Sequence, residues 1–280
     1  MPPSIGPRWS IAPRSTSTAE APAPGRLYVG TSGFAYPGWI PRFYPRGLRG
    51  DALLRHYGSA LPAVELNNTF YQQPSAAKVA AWVAATPETF RFSVKAQRGG
   101  TWGAFGGSPE PGLPWLTGPY RAFGERLGTV LVRAPDTSKR DDTRLAAFLE
   151  AWPRDLPLAV ELRDPSWHAD ETIAALSAAG AALCATDDPD EPEPPTLRRT
   201  GPFLYLRLRR HDYTPREIAT WADRLTPFLA AGDDAFVFFR HDEVGRGPEL
   251  ALELMAAVAA AAGGAASGRP ASAGAASLVP

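Results

Sequence analysis

Two short runs each set a glutamate among apolar residues: Glu65 in VELNNTFY (64–71) and Glu161 in VELRD (160–164). In an extended chain successive side chains alternate, so Glu65 and Asn67 share one face and Val64 and Leu66 the other. By the same alternation Glu161 and Arg163 oppose Val160 and Leu162, and Arg91, Ser93 and Lys95 oppose Phe92 and Val94. In FLYLRLR (203–209), Tyr205, Arg207 and Arg209 oppose three leucines, and Arg133 and Arg240 close two further apolar runs. A buried carboxylate or guanidinium is costly unless paired. Glu65 and Glu161 are therefore expected to partner Lys95, Arg163 and Arg207. Two carboxylates from different segments can act as acid and base, with Lys95 as a third catalytic candidate. Asn67, Tyr71, Arg133, Arg163, Arg207, Arg209 and Arg240 are the candidate substrate-binding residues, because arginine suits carboxylate and phosphate through its planar fork.

Several other chemistries compete with this reading. A lysine among arginines can lose its proton and form a Schiff base, although an ion-paired lysine is the commoner case. Glu65, Glu161, Asp187, His241 and Asp242 could approach a hard divalent ion and support a phosphodiesterase mechanism, but interleaved arginines would repel it, and no metal is expected. A self-neutralising polar plug is the purely structural alternative. The two main readings differ on Arg207→Gln: an anion site with surplus cations is stabilised by it, whereas a plug loses stability.

The elements that must position these residues are eight short apolar runs: 26–32, 63–68, 90–96, 129–135, 158–164, 181–187, 203–209 and 235–241. Helical patterns fill most gaps, including 74–86, 141–152, 169–180 and 215–232, several opening at Pro or Asp and closing at Gly or Pro. Eight strands alternating with helices predict an α/β fold of the (β/α)8 TIM-barrel type. The proline-rich stretch DDPDEPEPPTLRRTG (187–201) predicts a loop in place of the sixth helix. An open doubly wound sheet is the alternative, but GTSGFAYPG lacks the spacing of a dinucleotide fingerprint. The glycine-rich segment 98–115 reads either as a mobile lid or as an insertion whose Trp102 and Trp115 pack on the barrel.

Formal charge balances at zero over 280 residues, so no global basic field recruits nucleic acid or membrane. RRHDYTPR (209–216) mixes arginine with Tyr213 and keeps nucleic-acid association as the weaker alternative. Cys184 is the one cysteine, which excludes an intramolecular disulfide and a thiolate cluster. With no signal-peptide core and no long apolar span, a cytoplasmic protein is expected. Residues 1–25 and 262–280 are rich in Pro, Ala, Gly and Ser and read as disordered arms flanking one domain at 26–261. No Walker loop, nucleophile elbow or dinucleotide motif is present, so no cofactor is expected and the partner is a small anionic molecule.

Together GTSGFAYPGW, FYP (43–45), VELNNTFY with Pro74 and Ser75, FRFSVKA, LG-x-VL (127–131) and VELRDPSW (160–167) resemble the domain of unknown function 72 family, also called YecE-like. The order and spacing match over about residues 27–255. The resemblance implies a TIM-barrel-like bacterial protein without an established reaction, and carries over Glu65, Asn67, Thr69, Tyr71, Lys95, Glu161, Arg163 and Trp167. This chain departs from the family at AQRGGTWGAFGG, VRAPD, RLRRHDY and FRHDE, which make the mouth richer in arginine. The fold favours an enzyme by analogy, with a non-catalytic anion-binding module as the alternative.

Overall fold

Each of the eight apolar runs is a strand. The computed structural model describes residues 23–107, 109 and 112–267, except the side chains of 264–267. The strands are β1 (Leu27–Thr31), β2 (Ala63–Leu66), β3 (Arg91–Lys95), β4 (Leu127–Arg133), β5 (Leu158–Glu161), β6 (Ala182–Asp187), β7 (Phe203–Leu208) and β8 (Asp234–Phe239). All neighbours are parallel, in the order β1-β8-β7-β6-β5-β4-β3-β2. The helices are α1 (Asp51–Ala60), α2 (Ala76–Ala84), α3 (Arg98–Gly106), α4 (Leu113–Thr117), α5 (Asp142–Ala151), α6 (Asp170–Ala179), α7 (Pro215–Ala230) and α8 (Arg246–Ser267). No helix lies between β6 and β7, as the prolines there predict. The result is a nearly closed TIM-type barrel.

Local signals account for the helix ends. Ser75 and Asp141 accept backbone N–H bonds at the starts of α2 and α5, and Thr214 forms a reciprocal capping box with Glu217 ahead of α7. Gly180 ends α6 in the left-handed region at φ 68°. The outward strand faces, such as Val29, Val64, Val132, Val160 and Leu206, are fully buried against this helical layer.

Most of the segment 98–115 is helical. Its first part is α3, capped by Gln97 and burying Thr101, Ala104 and Phe105; α4 then buries Leu113 and Leu116. Phe105 packs on Phe148 and Trp167, so this stretch supplies the helical cover after β3. Its glycines concealed an apolar stripe. Trp102 and Trp115 remain largely exposed rather than packed on the barrel. At the C-terminus, α8 continues to Ser267, beyond the expected domain end at 261; the expected arm at 1–22 and the tail from 268 lie outside the described residues.

Closure between β1 and β2 uses a side chain where a full ladder is absent. The two strands share one bridge, Ser32 to Glu65, with Gly33 N donating to the Glu65 carbonyl at 2.7 Å. Lower down, the Tyr57 hydroxyl accepts from Thr31 N at 2.8 Å and donates to the Ala63 carbonyl at 3.0 Å. Gly30 permits this approach, since a Cβ there would lie 1.9 Å from the Ala63 oxygen. Removing the hydroxyl in Tyr57→Phe leaves a buried N–H and a buried carbonyl without that partner, an expected loss of about 1–3 kcal/mol in urea unfolding. A loss near zero would show that the barrel closes without this bridge.

Candidate functional site

Inside the barrel, side chains form layers. The lower layers are apolar and aromatic, built from Tyr28, Leu131, Cys184, Phe203, Tyr205, Phe236 and Phe238. Tyr28 stacks on Phe236 with centroids 4.8 Å apart. Alternation put polar residues on the inward faces of β2, β3, β5 and β7, whereas β8 carries Phe at 236 and 238 and is apolar on both faces. Polar residues instead concentrate at the C-terminal mouth, where barrel active sites gather.

At that mouth Glu65 and Glu161 both point inward, and one guanidinium links them. Arg207 Nη2 donates to Glu65 Oε1 at 2.9 Å, and Arg207 Nη1 donates to Glu161 Oε1 and Oε2 at 3.0 and 2.9 Å. Ser32 Oγ donates to Glu65 Oε1 at 2.7 Å and Tyr205 Oη to Glu65 Oε2 at 2.7 Å. Thr186 Oγ1 donates to Glu161 Oε1 at 3.0 Å. Arg133 Nε stands 3.7 Å from Glu161, but the guanidinium is chiefly engaged by Asp136, to which Nη2 donates at 2.7 Å. Burial would raise the two carboxyls; Arg207 foremost, helped by Lys95 at both and by Arg209 at Glu65 and Arg133 at Glu161, overcomes it and holds each down to about 2.

Arg207 is 2% exposed and both terminal nitrogens are held by carboxylates, though its buried Nε has no partner, so it is a structural clamp rather than a free anion ligand. The surplus lies elsewhere. Arg209 reaches no carboxylate among the described residues and donates to Ser32 Oγ at 2.8 Å; Arg240 has the His211 ring nitrogens at 3.3–3.4 Å as its side-chain partners. Lys95 is 7% exposed yet makes no ion pair or hydrogen bond through Nζ among the described residues, and its Nζ sits 4.3 Å from the centre of the Phe70 ring. The expected Lys95–glutamate pairs are therefore not formed. Burial first, and then the neighbouring Arg207 charge, lower the Lys95 amine to about 8 and Arg209 to about 10. Arg163 pairs with Asp188. Arg133, Glu161, Arg163, Thr186, Arg207, Arg209, Arg240 and His241 line a cavity of about 290 Å³.

Two candidates stand apart from this cluster. β2 ends at Leu66 and the chain turns into a 3-10 helix at Asn68–Phe70, so alternation stops before Asn67. Asn67 lines a different cavity of about 440 Å³ with Phe34, Leu53 and Trp82, and its buried Oδ1 has no partner. Tyr71 is 73% exposed. Asp187 lies on the outward face of β6, held by Arg210 Nε at 3.0 Å and Tyr213 Oη at 2.8 Å. Asp242 accepts from Val244 N and Arg246 N at 2.7 and 2.9 Å, ordering the entry to α8. His241 stacks parallel on Tyr36 at 4.9 Å. Asp187 and Asp242 of the metal alternative are thus occupied locally, whereas the buried Nδ1 of His241 has no hydrogen-bond partner. Ser32, Thr186 and Phe70 are site residues that the polar-face argument passed over. Extending alternation from Tyr28 through Gly30, and from Cys184, would have found the first two.

A TIM barrel with an arginine-rich mouth is the class that fold and site define. The chain belongs to the DUF72 family of proteins of unknown function, whose family model matches residues 28–274. It is 24% identical over 266 residues to the UPF0759 protein YunF of Bacillus subtilis, covering 82% of this chain and 93% of that protein. A DUF72 family protein from Thermotoga maritima is 26% identical with a TM-score of 0.73, over 82% of this chain and 98% of that one. Another from Enterococcus faecalis shares the fold at 23% identity and a TM-score of 0.68, over 83% and 95% of the two chains. No described helix is long and apolar enough to cross a membrane.

The clamp reverses the sign expected of an anion-binding Arg207. Arg207→Gln leaves two buried carboxylates without their cation and should cost about 3–5 kcal/mol in ligand-free urea unfolding; stabilisation instead would show that the clamp is not formed. The pH dependence has a defined direction. Both glutamates titrate lower in the folded chain than their ordinary value of 4.5, so their stabilisation is complete above about 4.5 and lost as pH falls toward about 2. Stability that stayed flat from pH 5 to about 2.5 would contradict the pairing.

Proposed function

We propose that the mouth of the barrel binds a small phosphorylated or carboxylated molecule, held by Arg209 and Arg240, with Lys95 as the reactive neighbour. The observation that carries this is the set of three cations converging on one mouth with no carboxylate partner among the described residues. Unpaired buried cations are costly in the free protein, and an anion relieves that cost. A cavity of about 290 Å³ suits a small molecule rather than a polymer.

The catalytic assignment changes in emphasis. Glu65 and Glu161 stay ionised far below neutral pH, so they are poor proton donors and weak bases, and their work is to hold Arg207. Lys95, lowered to about 8, is the group able to exchange a proton near neutral pH. An acid–base or amine-based enzyme is favoured over a passive anion carrier for that reason.

A thermal melt tests the reading. Phosphate at about 100 times its Kd should contribute about 2.7 kcal/mol and raise Tm by several degrees, whereas Mn²⁺ should give no rise. Arg209→Gln should raise the ligand-free Tm and reduce the phosphate response. Stabilisation by Mn²⁺ that EDTA reverses, with no response to phosphate, would replace the anion site with a metal site.

A further inference from the structure

We propose that Lys95 is a covalent nucleophile, forming a Schiff base with a small carbonyl compound that also carries a carboxylate or phosphate. This rests on the anion-site reading and narrows its substrate to an acid with an aldehyde or ketone within reach of the amine.

The surroundings of Lys95 are those of a reactive amine rather than an ion-pair partner. A paired lysine holds its proton toward a carboxylate; Lys95 Nζ has no ion pair or hydrogen bond among the described residues, and Arg207 has already taken both nearby carboxylates. Its backbone is fixed, because Thr69 Oγ1 is 2.6 Å from the Leu66 carbonyl oxygen and 2.7 Å from that of Lys95. That tie joins the end of β3 to the 3-10 turn and seats the Phe70 ring 4.3 Å from Nζ. The low dielectric of the mouth and the adjacent guanidinium charge favour the neutral amine needed for attack. Lys95 ends β3 at the same mouth where Arg209 and Arg240 line the cavity, and those two arginines are assigned the acid group of the same molecule.

The chemistry balances without a co-reactant. The Nζ lone pair forms a bond to the carbonyl carbon as the carbon–oxygen π pair moves to oxygen. Proton transfer from nitrogen to oxygen gives a carbinolamine, and the carbon–oxygen bond then breaks with loss of water. Counted from the ammonium, one carbonyl is consumed, one water is released and the positive charge stays on nitrogen as an iminium. The Phe70 face suits that retained charge.

Reductive trapping tests the proposal on the wild-type protein, so no variant need fold for it to be decisive. Pyruvate and glycolaldehyde phosphate, with acetaldehyde as a neutral comparator, are incubated with cyanoborohydride, which delivers hydride to the iminium carbon. Peptide mapping then locates any mass increase equal to the probe less one oxygen. With Lys78 and Lys139 as the other lysines, Lys95 should be labelled on the order of tenfold or more faster than either, since the free-amine fraction changes tenfold per unit of midpoint. Labelling should favour the acidic probes, fall with added phosphate and vanish in Lys95→Arg. Adducts confined to Lys78, Lys139 or the N-terminal amine, or no adduct at all, would overturn the proposal. If phosphate raises Tm but Lys95 is not trapped, the covalent role fails and the anion site stands. If acetaldehyde labels Lys95 as readily as pyruvate and phosphate gives no protection, the acid-bearing substrate and the anion site fail together.

Discussion

The mouth of this barrel is organised by the Arg207 guanidinium, held between Glu65 on β2 and Glu161 on β5. Those strands and β7 lie well apart around the sheet, so the clamp joins side chains across the barrel rather than along one edge. Removing three charges from water is tolerable only with close partners and satisfied oxygens. Ser32, Tyr205 and Thr186 complete that set by donating to the carboxylates. Beneath it, Phe203, Phe236 and Phe238 exclude water from the interior. Because the clamp uses up both glutamates, and Arg133 and Arg163 pair with Asp136 and Asp188, Lys95, Arg209 and Arg240 are left without a carboxylate partner among the described residues.

That division separates structure from chemistry. The glutamates are the most buried acidic groups of the mouth, yet they serve as fixed anions. The residues left outside their pairs are Lys95, Arg209 and Arg240. Arg209 lies one alternation step beyond Arg207 on the same strand face and is tied to Glu65 only through Ser32. Lys95 shares the electrostatic field of the clamp without touching it. A structural clamp and a set of cations without carboxylate partners among the described residues therefore adjoin in one cluster.

Much of this was legible in the residues. Evenly spaced apolar runs located all eight strands, and period-two alternation oriented Glu65, Lys95, Glu161, Arg207 and Arg209 correctly, because a parallel strand in a barrel must turn an apolar face to its helices. The proline run after β6 announced the missing helix. Alternation failed where the strand stopped: Asn67 and Tyr71 follow the end of β2 and obey the geometry of a 3-10 turn. Glycines hid α3, whose burial depends on Phe105 meeting Phe148 and Trp167 from distant segments. Which cation met which carboxylate was not legible, since cross-barrel pairing depends on strand stagger. A charge count could rank the cations as surplus without identifying Arg207 as the one that was not.

Lys95 is a buried cation without an ion-pair partner among the described residues, set in a positive field. Carbon-13 labelling of lysine at Cε resolves its titration by NMR, with Lys95→Arg identifying its resonance among the three lysines of the chain. In the free protein the midpoint should lie near 8, and saturating phosphate should move it upward by restoring a counter-charge. A midpoint at the ordinary lysine value of about 10.4, unmoved by phosphate, would mean that Lys95 is already neutralised within the fold and would contradict the central claim.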